Sequence, residues 1–182
     1  MQELSLHILD IVQNSIRAQA DLVTIIIREK PSANLLEIII KDDGTGMDEQ
    51  QKNRALDPFV TSRTTREVGL GLSLFKATVE ACEGQFVIES SVGEGTTIKT
   101  QLEYDHIDRP PLGNMAETLI SLISVNPDLD INYIHCKKDQ QFLLQTKKIK
   151  EELQEVEITE KKVLKWLEEY IKEGLDSLSG GG

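Results

Sequence analysis

The chain has 182 residues, 39% of them hydrophobic and only 4% aromatic, and its formal net charge is -11. That length holds one domain with a full, mainly aliphatic core, or one domain and a small addition, and the composition excludes a disordered chain. The acidic balance argues against nucleic acid as a partner, because phosphate backbones are bound by clustered Lys and Arg.

Leu4, Ile8, Ile11, Val12, Ser15 and Ile16 fall on one helical stripe, which predicts an amphipathic helix from Glu3 to about Ala20. Its start, "MQELSLHILD", carries acids and lacks the basic and then apolar run of a signal peptide. No segment is apolar enough to span a bilayer, so a cytoplasmic protein with no membrane partner is expected. "DLVTIIIR", Asp21 to Arg28, predicts a strand, Pro31 to Asn34 a turn, and Leu35 to Lys41 a second strand. The second strand ends in "KDDGTGM", where Asp42 is followed by Gly44 and Gly46; taken alone this is ordinary turn chemistry.

Asp48 to Leu56 predicts a short helix, and "LDPFVTSRTTREVGLG" a long connection without period. "GLSLFKATVEACEG" reads as a helix with glycine-rich backbone at its start and Gly84 at its end. Gln85 to Ser90, the turn "SVGEGT" and Thr97 to Glu103 predict a hairpin. Together these elements predict an α+β class, a two-layer α/β sandwich with helices on one face of a mixed, mostly antiparallel sheet.

"HIDRPPLGN" holds the only Pro-Pro pair and predicts a boundary, with residues 1–104 as the first unit and 105–112 as a linker. Residues 113–178 then predict a small α/β appendage: a helix near Met115 to Ser124, strands at Asp130 to Cys136 and Gln141 to Thr146, and a charged helical stretch from about Lys148. Residues 179–182 close a flexible tail. Cys82 and Cys136 stand far apart, at no metal or redox spacing, and are expected to be reduced.

Asp10 and Asn14 lie four residues apart, so both project from one helix face a turn apart. Glycines ahead of a helix, as in "VGLGLS", let backbone amides approach phosphate at the positive helix end. Four such signals occur in order: "LDIVQNSIRAQA", "DDGTGM", "DPFVTSR" with "VGLGLS", and "GEGTT". Over about Met1 to Leu102 they resemble the N box and the three glycine boxes of the GHKL ATPase superfamily. That superfamily includes DNA gyrase B, a heat-shock chaperone, a mismatch-repair ATPase, sensor histidine kinases and anti-sigma kinases.

The resemblance implies the Bergerat fold and binding of ATP or ADP with Mg²⁺. It further implies that Asp42 takes the adenine amino group, with Gly44, Gly46, Met47 and Thr96 around the base. Asn14 would hold Mg²⁺ against the phosphates, and Gly69, Leu70, Gly71, Leu72 and Ser73 would face the phosphates. Phe59 belongs to the F box, and Arg63 and Arg66 lie in the mobile lid, either reaching phosphate or remaining solvated. Asp10 stands where the gyrase-like ATPases and anti-sigma kinases place a Glu general base and histidine kinases an Asn or similar polar residue; on its shorter stem it would activate a hydroxyl or water weakly, or only help order the metal. The short stretch between the F box and "GLGLS" is closer to histidine and anti-sigma kinases than to the gyrase group.

A sensor kinase also carries a helical hairpin with a phospho-accepting His. This chain opens at the N box, and His7, His106 and His135 fall in no acceptor box, so transfer to a partner protein is the kinase reading that remains. The rival reading is a non-catalytic switch, in which ATP closes the lid and the lid or the C-terminal segment meets a protein partner. "ELSLHILDIVQNSIRA" and "HIDRPPLGNMAETL" resemble a stand-alone bacterial group encoded beside iron hydrogenase subunits, which would imply a regulatory or maturation role in redox metabolism.

Overall fold

The computed structural model describes residues 3–59 and 70–180. The elements run α1 (Leu4–Arg17), β1 (Leu22–Lys30), a 3-10 turn (Pro31–Ala33), β2 (Leu35–Asp42), α2 (Glu49–Leu56), α3 (Gly71–Ala81), β3 (Gln85–Ser91) and β4 (Gly95–Glu103). Then come α4 (Met115–Val125), β5 (Asp130–Lys137), β6 (Gln140–Gln145), α5 (Thr146–Leu153) and α6 (Lys161–Gly180). The strands form one sheet in the order β3-β4-β2-β1-β5-β6, antiparallel at every step except β1–β5, which is parallel.

Alternation along the strands makes the two layers. β1 buries Val23, Ile25 and Ile27 and turns Thr24, Ile26 and Arg28 to the opposite face, the period of two that a pleated strand imposes. Register sets Ile25 beside Ile40 of β2 and Tyr133 of β5, and Ile40 beside Ile98 of β4, so one face is apolar across the sheet. α1 presses Leu4, Ile8, Ile11 and Val12 onto that face, and α3, α4 and α6 complete the helical layer through Phe75, Leu119 and Leu167. This is the two-layer α/β sandwich expected from the sequence, and among the described residues the side chains of β1 and β2 on the opposite face are only partly buried or exposed.

The C-terminal segment joins that same sheet, because β5 runs along β1 for its whole length and α4 packs on α1 and α6. The stretch between the units is anchored too. α1 has no side-chain cap; Leu4 N–H and Ser5 N–H instead donate to the carbonyls of Pro111 and Leu112, at 3.0 and 2.8 Å. These bonds satisfy two of the donors that every helix start leaves open. Arg109 donates from Nε to the Tyr104 carbonyl at 2.6 Å and lies over the Tyr104 ring.

A polar cluster fastens the two parts at the far end of the sheet. Tyr133 hydroxyl and His135 Nδ1 are 2.8 Å apart, and His135 Nε2 is 2.7 Å from Glu29 Oε1. Tyr104 hydroxyl donates to Glu29 Oε2 at 3.0 Å, and Lys137 lies 3.5 Å from the same oxygen.

The charged stretch expected from Lys148 divides into α5 and α6, since Gln154 takes φ 55° and ψ -111° and ends the first helix. α6 then continues to Gly180, further than the expected tail allowed. Glycine is a poor helix former, but Leu178 is buried and holds the last turn against the core.

Candidate functional site

A cavity of about 360 Å³ opens where the C-terminal half of α1, the end of β2, the loop after it and the start of β4 meet. Ile11, Met47, Leu72 and Ile98 give it apolar walls, and Asn14, Arg17, Asp42, Thr45, Gln51 and Thr96 bring polar groups to it. A mostly apolar pocket with a few placed polar groups is the usual form of a small-molecule site.

The two acids that close β2 do different work. Asp43 Oδ1 accepts from the N–H groups of Asp21 and Leu22, each at 2.9 Å, and so ties the start of β1 to the end of β2. Asp42 belongs to the cavity and is 7% exposed. Its Oδ1 accepts from Gly44 N–H at 2.9 Å and Thr96 N–H at 3.3 Å, and its Oδ2 accepts from Ser15 Oγ at 2.6 Å. A carboxylate offers roughly four acceptor positions, so three donors fix its plane and leave one position for a ligand.

The loop beyond Asp42 is held from both sides. Thr45 N–H donates to the Ala18 carbonyl at 2.8 Å, and the Thr45 carbonyl accepts from Gly93 N–H at 2.7 Å. Gly46 has φ +68°, and a Cβ there would come 1.9 Å from the Ser91 carbonyl oxygen, so no other residue fits without moving the hairpin. Met47 N–H donates to Ser90 Oγ at 2.8 Å, which is also 2.8 Å from Thr96 Oγ1. The floor of the cavity is thus hydrogen-bonded to its β4 wall.

At the other end, Asn14 Oδ1 accepts from Arg17 at 3.1 Å, while Asn14 Nδ2 is buried without a partner among the described residues. α3 starts at Gly71 near this end of the cavity, and its N-cap residue, Leu70, makes no side-chain cap bond. Leu72 reaches the cavity; Leu70 is half exposed, and Ser73 Oγ turns back to the Leu70 carbonyl at 3.0 Å. A Cβ on Gly71 would come 2.9 Å from Cβ of Asp10, so the glycine lets α3 start directly against α1.

Asp10 therefore sits against the first turn of α3 and is not among the residues that line the cavity. One turn earlier, burial pushes the His7 imidazole below its ordinary value, and the Asp10 carboxylate opposes that shift. His7 stacks on Phe75, with ring centroids 5.3 Å apart, and is a core residue. Phe59 is 89% exposed, with its N–H bonded to Asp57 at 2.8 Å, and stands away from the cavity. Arg63, Arg66 and Gly69 lie outside the described residues.

Asn14, Asp42, Gly46, Met47, Leu72 and Thr96 are thus brought together around one space, with Gly44 behind Asp42. Ser15, Arg17, Thr45 and Gln51 also line the cavity and were not singled out from the sequence. Arg17 carried a readable signal: it is three residues after Asn14, hence on the same helix face.

Residues 2–106 match the family described as histidine kinase-, DNA gyrase B- and HSP90-like ATPase. The chain is similar to a putative sensor protein of Shewanella frigidimarina, 34% identical over 54% of this chain and 15% of that protein. It is similar to the non-motile and phage-resistance protein of Caulobacter vibrioides, 31% identical over 56% of this chain and 13% of that one. The autoinducer 2 sensor kinase/phosphatase LuxQ of Vibrio cholerae is 36% identical over 54% of this chain and 11% of its own length. The chain thus spans a small fraction of these relatives. Among solved structures, the catalytic domain of histidine kinase ThkA aligns with TM-score 0.44 and 20% identity over 57% of this chain and 68% of that one. With more than half of its length matched by one family and the sandwich that such a domain requires, the chain belongs to the histidine kinase-, DNA gyrase B- and HSP90-like (GHKL) ATPases.

Proposed function

We propose that this chain binds Mg²⁺-ATP in the α1–β2–β4 cavity and acts as an ATPase, or as a protein kinase on a partner protein in bacterial regulation. The observation that carries the reading is Asp42, a buried carboxylate fixed by Ser15, Gly44 and Thr96 with an acceptor position left for a ligand. An exocyclic amino group satisfies that position. Guanine would present a carbonyl there, setting acceptor against acceptor in a dry site, so adenine is favoured.

The opposite end suits phosphates. Arg17 supplies a positive charge on the cavity wall, and the N-terminal end of α3, with no side-chain cap from Leu70, supplies backbone N–H groups and the positive end of a helix. The partnerless Asn14 amide supports the Mg²⁺ role: a buried donor left unsatisfied costs about 1–3 kcal/mol, and a phosphate oxygen would relieve it. Asn14 Oδ1, released from Arg17, is the oxygen this chain would offer to Mg²⁺, which prefers oxygen ligands and keeps several waters. Mg²⁺, when bound, neutralises charge on the phosphates; the residues around it hold the nucleotide in place and keep its base dry.

A second reading, an ATP-gated switch with little turnover, is favoured by the position of Asp10. It packs on the first turn of α3 rather than facing the cavity, where it would couple a closing lid to α1. The resemblance to the group encoded beside iron hydrogenase subunits would give either reading a redox enzyme as its target.

Calorimetry with Mg²⁺-ATP tests the site. Asp42→Asn is expected to raise the Kd by about 30-fold or more, the worth of one hydrogen bond to a charged acceptor. An unchanged affinity would overturn the nucleotide assignment. ADP release from the same sample separates turnover from gated binding.

A further inference from the structure

β6 is the last strand of the sheet, and among the described residues no strand lies on its outer side. Such an edge invites pairing with another chain and is normally blunted by lysine, proline or a bulge. β6, "QQFLLQ", carries no charge and no proline. The opposite edge, β3, is guarded by Glu89 in an ion pair with Lys99.

The stretch Gln141 to Gln145 reads nearly alike in both directions. Set antiparallel to its own copy about Leu143, it brings Leu143 opposite the partner's Leu143, Phe142 opposite the partner's Leu144, and Gln141 opposite the partner's Gln145. Phe142 and Leu144 already face the helical layer, so like faces meet like faces.

Two further features end at this edge. On the face opposite the helical layer, register aligns Ile39, Ile26, Ile134 and Leu143 in one row across β2, β1, β5 and β6, and Leu143 at its end is 40% exposed. Alongside the strand, Trp166 and Tyr170 stack with centroids 5.3 Å apart, 52% and 40% exposed, and line a groove with Leu143, Leu144, Gln145, Ile149 and one lysine of α5, Lys148.

We infer that this edge is a self-association surface: two copies pair β6 to β6, antiparallel, about a two-fold axis at Leu143, and their sheets become one. The interface is isologous, as closed dimers require. It continues the apolar row through the axis and covers the exposed leucine. Strand pairing with the adjoining aromatic groove falls at or below the usual interface area of about 1,600 Å², so the dimer forms reversibly in the micromolar range. Each copy carries a net charge of -11, yet the edge where they meet is uncharged from Gln140 to Thr146, so added salt strengthens the dimer. The nucleotide cavity lies beside β2, three places along the sheet from β6, and stays open; the inference does not depend on what binds there.

Sedimentation of the full chain over about 1–200 µM tests it. The expected result is a monomer–dimer equilibrium that shifts to dimer with salt and that Leu143→Lys reduces to monomer, with the far-UV spectrum unchanged. A second variant holds if that one misfolds: Leu143→Cys, with Cys136→Ser, places one thiol on the axis. Paired antiparallel residues are about 4.5–5.5 Å apart at Cα, so mild oxidation should yield a covalent dimer. A monomer at every concentration overturns the inference and leaves the edge to a partner of different sequence. A dimer that survives Leu143→Lys, or does not cross-link through the axial cysteine, overturns it as well.

Discussion

Asp10 lies one helical turn before Asn14, and its neighbour in space is Gly71 rather than the cavity. A general base must come within hydrogen-bond reach of its proton, directly or through a water, and under the proposed ATPase reading that reach would be completed on ligand binding. On that account Asp10→Asn is expected to lower ADP release about 100-fold while leaving Mg²⁺-ATP affinity within a factor of about 3, because base catalysis contributes about that much and the carboxylate touches no part of the binding pocket. Unchanged release, measured at saturating ATP, would leave Asp10 as a packing residue for α3 and favour the switch. Residues of this rank differed in legibility. Asp42 could be read because a strand ending in Asp and two glycines is a local pattern. Ser15 could not, because it occupies a position on the buried stripe of α1 where a small residue is ordinary. Only the fold brings its hydroxyl to Asp42, 27 positions further along.

At the scale of elements, alternation made the strands visible, since β1, β2 and β5 each bury every second residue. Their partners were less visible: the parallel β1–β5 step joins residues more than a hundred positions apart, and no turn signals it. Glu29 shows what that step is fastened by. Burial alone would raise its pKa, but the hydrogen bond and charge of His135, the charge of Lys137 and the Tyr104 hydroxyl outweigh it and hold the carboxyl at about 2. A depressed carboxylate contributes stability that is complete above the unfolded value of 4.5 and is lost as pH falls toward 2. That contribution is at most about 3 kcal/mol. Glu29→Gln is expected to destabilise the chain by about 2 kcal/mol at pH 7, with the gap to wild type closing between pH 4.5 and 2. Urea unfolding of both proteins across that window checks it; a constant gap would mean that the cluster stabilises through packing and not through charge.

For the molecule as a whole, the Pro-Pro pair read as a boundary because prolines punctuate both linkers and tight corners, and local composition does not separate the two. Here Pro110 is buried and the carbonyl of Pro111 receives Leu4 N–H, so the same residues that suggested a break cap the first helix. Beyond them, β5 pairs with one whole side of β1, and Leu119, Ile123, Ile131 and Tyr133 extend the core into which α1 is packed. Residues 1–104 taken alone would lose these cover residues, expose β1 as a long apolar edge and leave the α1 donors open. We therefore expect that fragment to be insoluble or to lack a cooperative thermal transition, and the full chain to melt in one step by both far-UV dichroism and Trp166 fluorescence. Trp166 lies in α6, remote in sequence from the α1–β2–β4 cavity, so coincidence of the two probes reports that both parts unfold together. Two separated transitions, or a fragment that melts cooperatively and binds ATP, would instead mark the C-terminal segment as an addition that the ATP-binding unit can do without.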